Sequence, residues 1–280
     1  MAWMFTQLSL IAGLGLIVGV FLNVCADSLS HGGRLQANAF ARPTCPYCRR
    51  PRPLVAWSGV VAYVSQHYRC PFCGAPIAIR HVAVELVTAL LFASCWLRNG
   101  ETGDRASSAM FLQALYGTVF ILVTVTDLEQ RSIPHAVMLP AIALAAAGAF
   151  LNPAAGFPAK GLLGGGIGLL SALALYFLGG AFARAVGRIR QQPVTEVAFG
   201  FGDVTLITFI GLVSGAPEIL FALAIGLLSG GGFAAVLLLI RAAVQHKYTP
   251  LMTMPYGPFL ILGGAVMLYL PEFMAWYAGR

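Results

Sequence analysis

The sequence has few charged residues, and acidic ones are the scarcest. Only 10% of the 280 residues are charged, with 10 acidic and 17 basic side chains, whereas 59% are hydrophobic. A soluble domain carries about 25% charged residues, so this composition excludes an ordinary soluble enzyme. Several segments of roughly 16 to 23 residues have no charge, about the length that a tilted helix needs to cross ~30 Å of hydrocarbon. The sequence therefore predicts an all-α polytopic membrane protein.

Eight apolar segments are predicted as transmembrane helices, at roughly 6–26, 82–97, 108–126, 136–151, 161–183, 204–215, 217–240 and 258–278. The sixth, with about 12 residues, is too short to span a bilayer unaided, so we expect a partial or broken helix. The first segment has no basic region before it, so we predict a helix that stays in the protein and not a signal peptide that is cleaved off. We predict three parts: a first transmembrane helix (1–26), a cytoplasmic four-cysteine loop (27–81) and a seven-helix membrane domain (82–280).

The basic residues are distributed unevenly between the predicted loops. If the N-terminus lies outside the cytoplasm, only four of the 17 Lys and Arg residues lie on the non-cytoplasmic side: Arg98, Arg105, Lys160 and Arg280. Basic residues concentrate in cytoplasmic loops, so this orientation is the predicted one. The basic residues of the cytoplasmic loops then account for the net charge of +7, and we expect no nucleic-acid partner. Asp127 and Asp203 fall at the same, cytoplasmic, face.

Two cysteine pairs lie in the long polar loop after the first segment. Cys45 and Cys48 stand in "TCPYCRR", and Cys70 and Cys73 follow in "YRCPFCGAPI", with 21 residues between the pairs. This spacing is typical of a tetrahedral zinc site with four thiolate ligands. Such a site leaves no open position, so we expect the zinc to be structural. Two disulfides or a redox dithiol are the alternatives, which a reducing cytoplasm disfavours.

Two aspartates stand at the ends of apolar segments. Asp127 follows the uncharged run "AMFLQALYGTVFILVTVT", and Asp203 is the one ionisable residue of "FGFGDVTLITFIGLV". A helix N-cap for Asp203 and an interfacial position for Asp127 are the simplest roles. Carboxylates in membrane segments are nevertheless functional candidates. Two that lie close together share a proton, and such a pair can hydrolyse a peptide bond without a metal. Gly200 and Gly202 would let a peptide backbone approach closely.

Several stretches carry a family resemblance. "GFGD" before an apolar segment, with an upstream membrane aspartate, resembles the GxGD intramembrane aspartyl proteases. Further stretches match the prepilin peptidases of type IV pilus and type II secretion systems: "GVFLNV", the two cysteine pairs, "RHVAVELVTALLF", "TDLEQRSIPHAVMLP" and "MPYGPFL". These matches occur in the family's order across almost the whole chain. The sequence is therefore identified as a member of the type IV prepilin peptidase family.

The resemblance implies an eight-helix enzyme of the bacterial inner membrane, embedded in membrane lipids. It would remove the basic leader of prepilins and pseudopilins at the cytoplasmic face, cutting after a glycine. Asp127 and Asp203 would be the catalytic pair, and 82–280 the catalytic domain. Many members also methylate the new N-terminus with S-adenosylmethionine. This sequence departs from the family at "RPRP" (50–53) and at His67-Tyr68. Both departures lie in the cysteine loop, which the family associates with methylation, so the peptidase activity is the better supported of the two.

Three further residues are candidates for substrate binding. Glu85, early in the second segment, would receive a positive group of the substrate; the alternative is a helix-end residue paired with Arg80 or His81. Pro255 and Gly257 in "PYGP" would present main-chain groups to an extended peptide, because two prolines exclude regular helix there; the alternative is a simple turn. For the whole chain, the competing functions are a proton-coupled transporter and a non-catalytic assembly protein that docks partners through its zinc loop.

Overall fold

A computed structural model describes residues 2–29, 43–99, 104–151, 158–190, 199–245, 255–270 and 272. Residues 30–42 of the predicted loop and most of 271–278 in the eighth segment lie outside this description. The described residues form helices and short turns, with no strand among them. The α-helices are α1 (Ala2–Ser28), α2 (Gly59–Val64), α3 (Ile79–Asn99), α4 (Asp104–Gln130), α5 (His135–Leu151), α6 (Pro158–Arg190), α7 (Phe201–Ser214), α8 (Glu218–Gln245) and α9 (Gly257–Tyr269).

Five of the described helices are long and apolar enough to cross a membrane: Trp3–Ser28, Ile79–Asn99, Ser108–Gln130, Ala159–Ile189 and Glu218–Ile240. Three shorter apolar helices accompany them, at His135–Phe150, Phe201–Ser214 and Gly257–Tyr269. Each of the eight predicted segments coincides with one of these helices, although α9 ends at Tyr269, well before the predicted 278. The prediction of an all-α polytopic membrane protein is confirmed for the described residues.

The chain divides into two compact units, Met1–Val125 and Thr126–Arg280. In the first, α1 packs along α3. Two glycines of α1 make this packing close: a Cβ atom on Gly15 would lie 2.7 Å from the Ala89 Cα, and one on Gly19 would lie 2.6 Å from the Glu85 Cα. Any side chain at these positions would force the two helices apart.

The short helix α2 belongs to the cysteine segment and packs on α3. A small apolar core of Ala56, Ala62 and Ile77 is covered by Tyr63, whose hydroxyl donates a hydrogen bond to the Ile77 carbonyl (2.9 Å). Helices of this length are not stable alone in water. The segment therefore owes its order to contacts with α3 and to the turns around its cysteines.

In the second unit, α7 is the central helix and packs against α5, α6, α8 and α9. Its buried side chains include Val204, Leu206, Ile207, Phe209 and Ile210. The glycines of "KGLLGGGIG" (160–168) bring α6 close: Gly164 contacts Gly211, and a Cβ atom on Gly168 would lie 2.8 Å from the Ile207 carbonyl oxygen. This short apolar helix is thus enclosed by other helices.

Helices α6 and α7 run antiparallel. Near the start of α6, a Cβ atom on Gly161 would lie 3.0 Å from the Leu212 carbonyl oxygen. Further along α6, the ring of Tyr176 lies 6.4 Å from that of Phe201, at the start of α7. Lys160 Nζ pairs with Glu218 Oε1 (2.8 Å) at the end of α7 that is distant from Phe201. Asp203 therefore lies towards the C-terminal half of α6, where Arg184 and Arg188 stand.

Candidate active site

Asp127 lies in the last turn of α4 and is 6% exposed. The helix ends soon after it because Arg131 adopts a left-handed conformation (φ 50°) and donates its N–H to the Asp127 carbonyl oxygen (2.9 Å), a common way to terminate a helix. The Asp127 side chain accepts the Gly257 N–H at Oδ2 (2.9 Å). A residue 130 positions further along the chain thus orients this carboxylate.

Asp203 lies in the first turn of α7 and is half-buried. The helix begins earlier than predicted, so the N-cap position is occupied by Gly200 and not by Asp203. Asp203 is instead the third residue of the helix, and its Oδ2 accepts the Gly200 N–H at 2.8 Å. This is one half of a capping box, and a negative charge at a helix N-terminus is favourable. The N-cap role that the sequence left open as an alternative for Asp203 is thus not observed, because the cap lies three positions earlier.

The two carboxylates lie in one neighbourhood of the second unit. Tyr256 precedes Gly257 and Phe199 precedes Gly200, and the ring centroids of these two aromatic residues lie 5.8 Å apart. In each aspartate Oδ2 is held by the backbone N–H of a glycine. A pair of acidic side chains oriented in this way by main-chain donors has the elements needed for general acid–base chemistry.

The glycines near the pair have identifiable structural roles. A Cβ atom on Gly257 would lie 2.7 Å from Asp127 Oδ2, and one on Gly202 would lie 2.8 Å from the Ile133 Cβ. Gly257 and Gly200 also donate the N–H groups that hold Asp127 and Asp203. The predicted contact of Gly200, Gly202 and Gly257 with a substrate stays a prediction. Their observed contacts are with the aspartates and with packing neighbours.

The "PYGP" segment differs in part from its prediction as non-helical. Pro255 and Tyr256 precede α9, but Gly257 and Pro258 form its first turn. Proline is compatible with this position because the first N–H groups of a helix have no partner within it. The ring of Tyr256 packs against Phe199 (5.8 Å) and directly over Gly230, where a Cβ atom would lie 2.6 Å from the ring. Pro255 is half-buried, and its role towards substrate stays a prediction.

Glu85 lies on α3, in the first unit, and is fully buried (0% exposed). Its carboxylate accepts hydrogen bonds from Ser58 Oγ (2.6 Å), the Gly59 N–H (2.7 Å) and the Val60 N–H (3.0 Å). Arg80 and His81 both contact Asp27. The structure thus shows Glu85 bonded to the cysteine segment, and substrate binding by this residue stays a prediction.

The four cysteines of the loop come together in the structure. Their sulfur atoms lie within 4.8 Å of one another, with 3.7 Å between Cys45 and Cys73 and 3.7 Å between Cys48 and Cys70. A tetrahedron with Zn–S bonds of 2.3 Å has S–S edges of about 3.8 Å, so these distances fit a zinc ion. They are far longer than a disulfide bond of about 2.05 Å.

The two cysteine pairs are held by matching turns. Cys45 donates its N–H to the Arg50 carbonyl (2.9 Å), and Cys70 does the same to Ala75 (2.9 Å). The residue after each pair is left-handed, with φ 59° at Arg49 and φ 71° at Gly74. Each pair is therefore one copy of a repeated turn. The similar stretches "CPYC" and "CPFC" are the sequence signal of this repeat.

Backbone N–H groups point at the sulfur atoms. Those of Phe72 and Cys73 lower the pKa of the Cys70 thiol to about 6, because a donated hydrogen bond stabilises the thiolate. The thiolate is the form that binds a metal. The donor set, the S–S distances and these N–H groups all suit zinc.

Comparison with known proteins gives a consistent family. Residues 14–99 match the bacterial peptidase A24 N-terminal domain, and residues 114–235 match the type IV leader peptidase family. A prepilin leader peptidase/N-methyltransferase of Bacillus subtilis is 31% identical, with 94% of both chains covered. The chain belongs to the type IV prepilin leader peptidase family. A protein of the same name from Aeromonas hydrophila is 27% identical, over 84% of this chain and 74% of its own. Another from Xanthomonas campestris is also 27% identical, over 92% of this chain and 89% of its own. No solved structure matches.

Family membership confirms the resemblance that the sequence motifs carry. The functional residues themselves are not identified by these matches. Two contacts were not predicted from the sequence. They are the hydrogen bond from the Gly257 N–H to Asp127 and the bonds between Glu85 and the start of α2. Neither could be found from spacing alone, because both join elements distant in sequence.

Proposed function

We propose that this protein is a membrane aspartic endopeptidase that removes the basic leader of type IV prepilins and pseudopilins, cutting after glycine. Its relatives are named prepilin leader peptidase/N-methyltransferase, which supports prepilin processing as the reaction. The observation that carries the proposal is the geometry of the pair: Asp127 and Asp203 are each oriented by a glycine N–H. The aromatic residues before these two glycines, Tyr256 and Phe199, pack their rings together (5.8 Å).

In this proposal the two carboxylates share one proton, since two close charges are costly to keep together. The ionised aspartate takes a proton from water, whose oxygen attacks the carbonyl carbon of the scissile peptide. The protonated aspartate donates to the carbonyl oxygen. The C–N bond then breaks as the amine takes a proton from one aspartate. A hydroxyl of the tetrahedral intermediate returns a proton to the other aspartate as the new carboxyl group forms, so the pair again holds one shared proton. Gly200, Gly202, Pro255 and Gly257 would line the path of the peptide.

We place the eight apolar helices across the bacterial inner membrane, with the N-terminus in the periplasm and the aspartates near the cytoplasmic face. Arg184 and Arg188 belong to the C-terminal half of α6, the half towards which Asp203 of α7 lies. This supports the orientation, because basic residues concentrate on the cytoplasmic side. The proposed parts remain the first helix (1–26), the zinc loop (27–81) and the catalytic domain (82–280).

We assign Cys45, Cys48, Cys70 and Cys73 to a structural zinc ion. Four thiolates complete the tetrahedron, so the ion would order the loop and take no part in hydrolysis. N-methylation of the new N-terminus, named in the relatives, is a second proposed activity. S-adenosylmethionine would supply the methyl group, and we assign none of the described residues to it.

Replacing one thiolate is expected to remove the metal. Cys48→Ser should lower the zinc content of the purified protein from about one ion per chain to a small fraction of that, because tetrahedral structural sites need all four ligands. Inductively coupled plasma mass spectrometry gives the content. Cys25→Ser changes a thiol outside the cluster and is the matched control. Unchanged zinc in Cys48→Ser would contradict the assignment.

Cleavage itself is tested on a defined substrate. The protein in nanodiscs is incubated with a synthetic prepilin that carries a basic leader ending in glycine, with and without S-adenosylmethionine. Intact mass spectrometry should show loss of the leader and, with the cofactor, a product heavier by one methyl group. Substrate left intact by this protein but cut by the Bacillus subtilis relative under the same conditions would refute the peptidase proposal. A cut but unmethylated product would refute methylation alone.

A further inference from the structure

The buried carboxylate of Glu85 has four hydrogen-bond donors around it. Ser58 Oγ, the Gly59 N–H and the Val60 N–H contribute three, at 2.6 to 3.0 Å. The fourth is Asn23 Nδ2 of α1, at 3.4 Å. A fully buried carboxylate is tolerated only when hydrogen bonds of this kind replace its hydration. Three of the four donors belong to the cysteine segment, so Glu85 depends on that segment being in place.

The dependence is mutual. The first N–H groups of a helix have no partner within it, and in α2 two of them are taken by Glu85. Ser58 donates its hydroxyl to Glu85 and accepts the Val61 N–H (3.2 Å). Residues 28–84 include seven arginines and no acidic residue. Glu85 is therefore the first carboxylate that the chain reaches after Asp27, and it is directed into this segment.

The contact also reaches the cysteines. Helix α2 lies between the two cysteine pairs, and its Ala62 shares a core with Ile77, which follows the second pair. A Cβ atom on Gly59 would lie 2.8 Å from the His81 Cβ, so the segment sits directly on the first turns of α3. Ile77 in turn donates its N–H to the Tyr68 carbonyl (2.7 Å), just before the second cysteine pair, so a shift at the start of α2 would reach the turn that holds this pair.

We propose that Glu85 is a positioning residue that fastens the four-cysteine unit to the helix pair α1 and α3. Metal binding in the loop is thereby coupled to the stability of that pair. When the loop loses its metal and its fold, Glu85 loses three donors while it stays buried between helices. The inference rests on the zinc site proposed above, and its test does not use peptidase activity.

A stability cycle tests the coupling in the full-length protein in nanodiscs. The apparent Tm is measured with zinc bound and after chelation, for wild type, Glu85→Gln and Thr88→Ala. Thr88 is buried on α3 one turn further on, and its hydroxyl bonds to Val84 within the helix, so it is the matched control. Chelation should lower the Tm of wild type and of Thr88→Ala by a similar amount. In Glu85→Gln the drop should be smaller, by on the order of 5 °C.

Hydrogen exchange gives a second, local readout. With zinc still bound, Glu85→Gln should speed exchange of the Gly59 and Val60 amides at least about tenfold. If Glu85→Gln fails to fold, Ser58→Ala replaces it in this experiment. It removes one donor from the loop side and should show the same effect. If Glu85→Gln lowers the Tm by the same amount with zinc and after chelation, or if the amides exchange as in wild type, the coupling is overturned and the zinc site is left intact. Wild type that binds no zinc would overturn both.

Discussion

Changing either Asp127 or Asp203 to asparagine should abolish leader removal while the protein remains folded. Asparagine keeps the size and can still accept the glycine N–H that orients each side chain. It can neither hold the shared proton nor take one from water. Loss of general acid–base catalysis lowers rates by about 10²–10⁴-fold, so single-turnover cleavage should fall by at least about 10²-fold. Intact mass spectrometry of the substrate over time measures the rate.

The matched control is Glu129→Gln, which removes a carboxylate two residues after Asp127 on the exposed face of the same helix turn. Its cleavage rate should stay within about twofold of wild type, because surface substitutions rarely disturb the fold. Circular dichroism and zinc content establish that the asparagine variants are folded. Cleavage at the wild-type rate by either asparagine variant would remove that aspartate from the mechanism.

The helices were largely predictable from the sequence, since uncharged apolar runs of sufficient length have few alternatives in a membrane. Their ends were less so. Helix α7 begins at Phe201, three residues before the predicted start at 204, because "FGFG" has no sequence feature that distinguishes a loop from a first turn. The difference is small in length, yet it moves Asp203 from a cap position into the helix.

Glu85 shows why the role of a single residue is harder to predict. A carboxylate beside basic residues at a helix start suggests an ion pair or a substrate contact. Its observed donors are an amide, a hydroxyl and two main-chain N–H groups. Main-chain donors leave no trace in composition or spacing. The absence of any other acid in residues 28–84 was the available clue, because the N-terminus of α2 had no nearer anion.

The cysteine unit was partly predictable: less fully than the helices, and more fully than the role of Glu85. The spacing of the pairs correctly predicted that four sulfur atoms come together, since two short turns with the same sequence pattern form similar structures. The supporting core of Ala56, Ala62 and Ile77 is made of apolar residues that no motif marks. The ligand positions were therefore predictable, whereas the means by which the unit is attached to α3 was not.

Adding one methyl group at Gly257 is expected to impair the enzyme nearly as much as removing an aspartate. A Cβ atom there would lie 2.7 Å from Asp127 Oδ2, far inside van der Waals contact. The first turn of α9 is fixed by its packing on α7 and α8, so the carboxylate must move instead. A displacement of about 1 Å at a catalytic group costs about 10²-fold in rate. Gly257→Ala should therefore reduce single-turnover cleavage by about 10²-fold.

A second glycine separates this effect from a general response to alanine. Gly231 lies within α8 in the same unit, and a Cβ atom there would meet nothing within 4 Å. Gly231→Ala should keep the wild-type cleavage rate and stabilise α8 slightly, because alanine favours helix over glycine by up to about 1 kcal/mol. Both variants should show the wild-type Tm to within a few degrees. If Gly257→Ala cleaves as fast as Gly231→Ala, then the Gly257 N–H does not define the working position of Asp127, and the proposed arrangement of the pair is wrong.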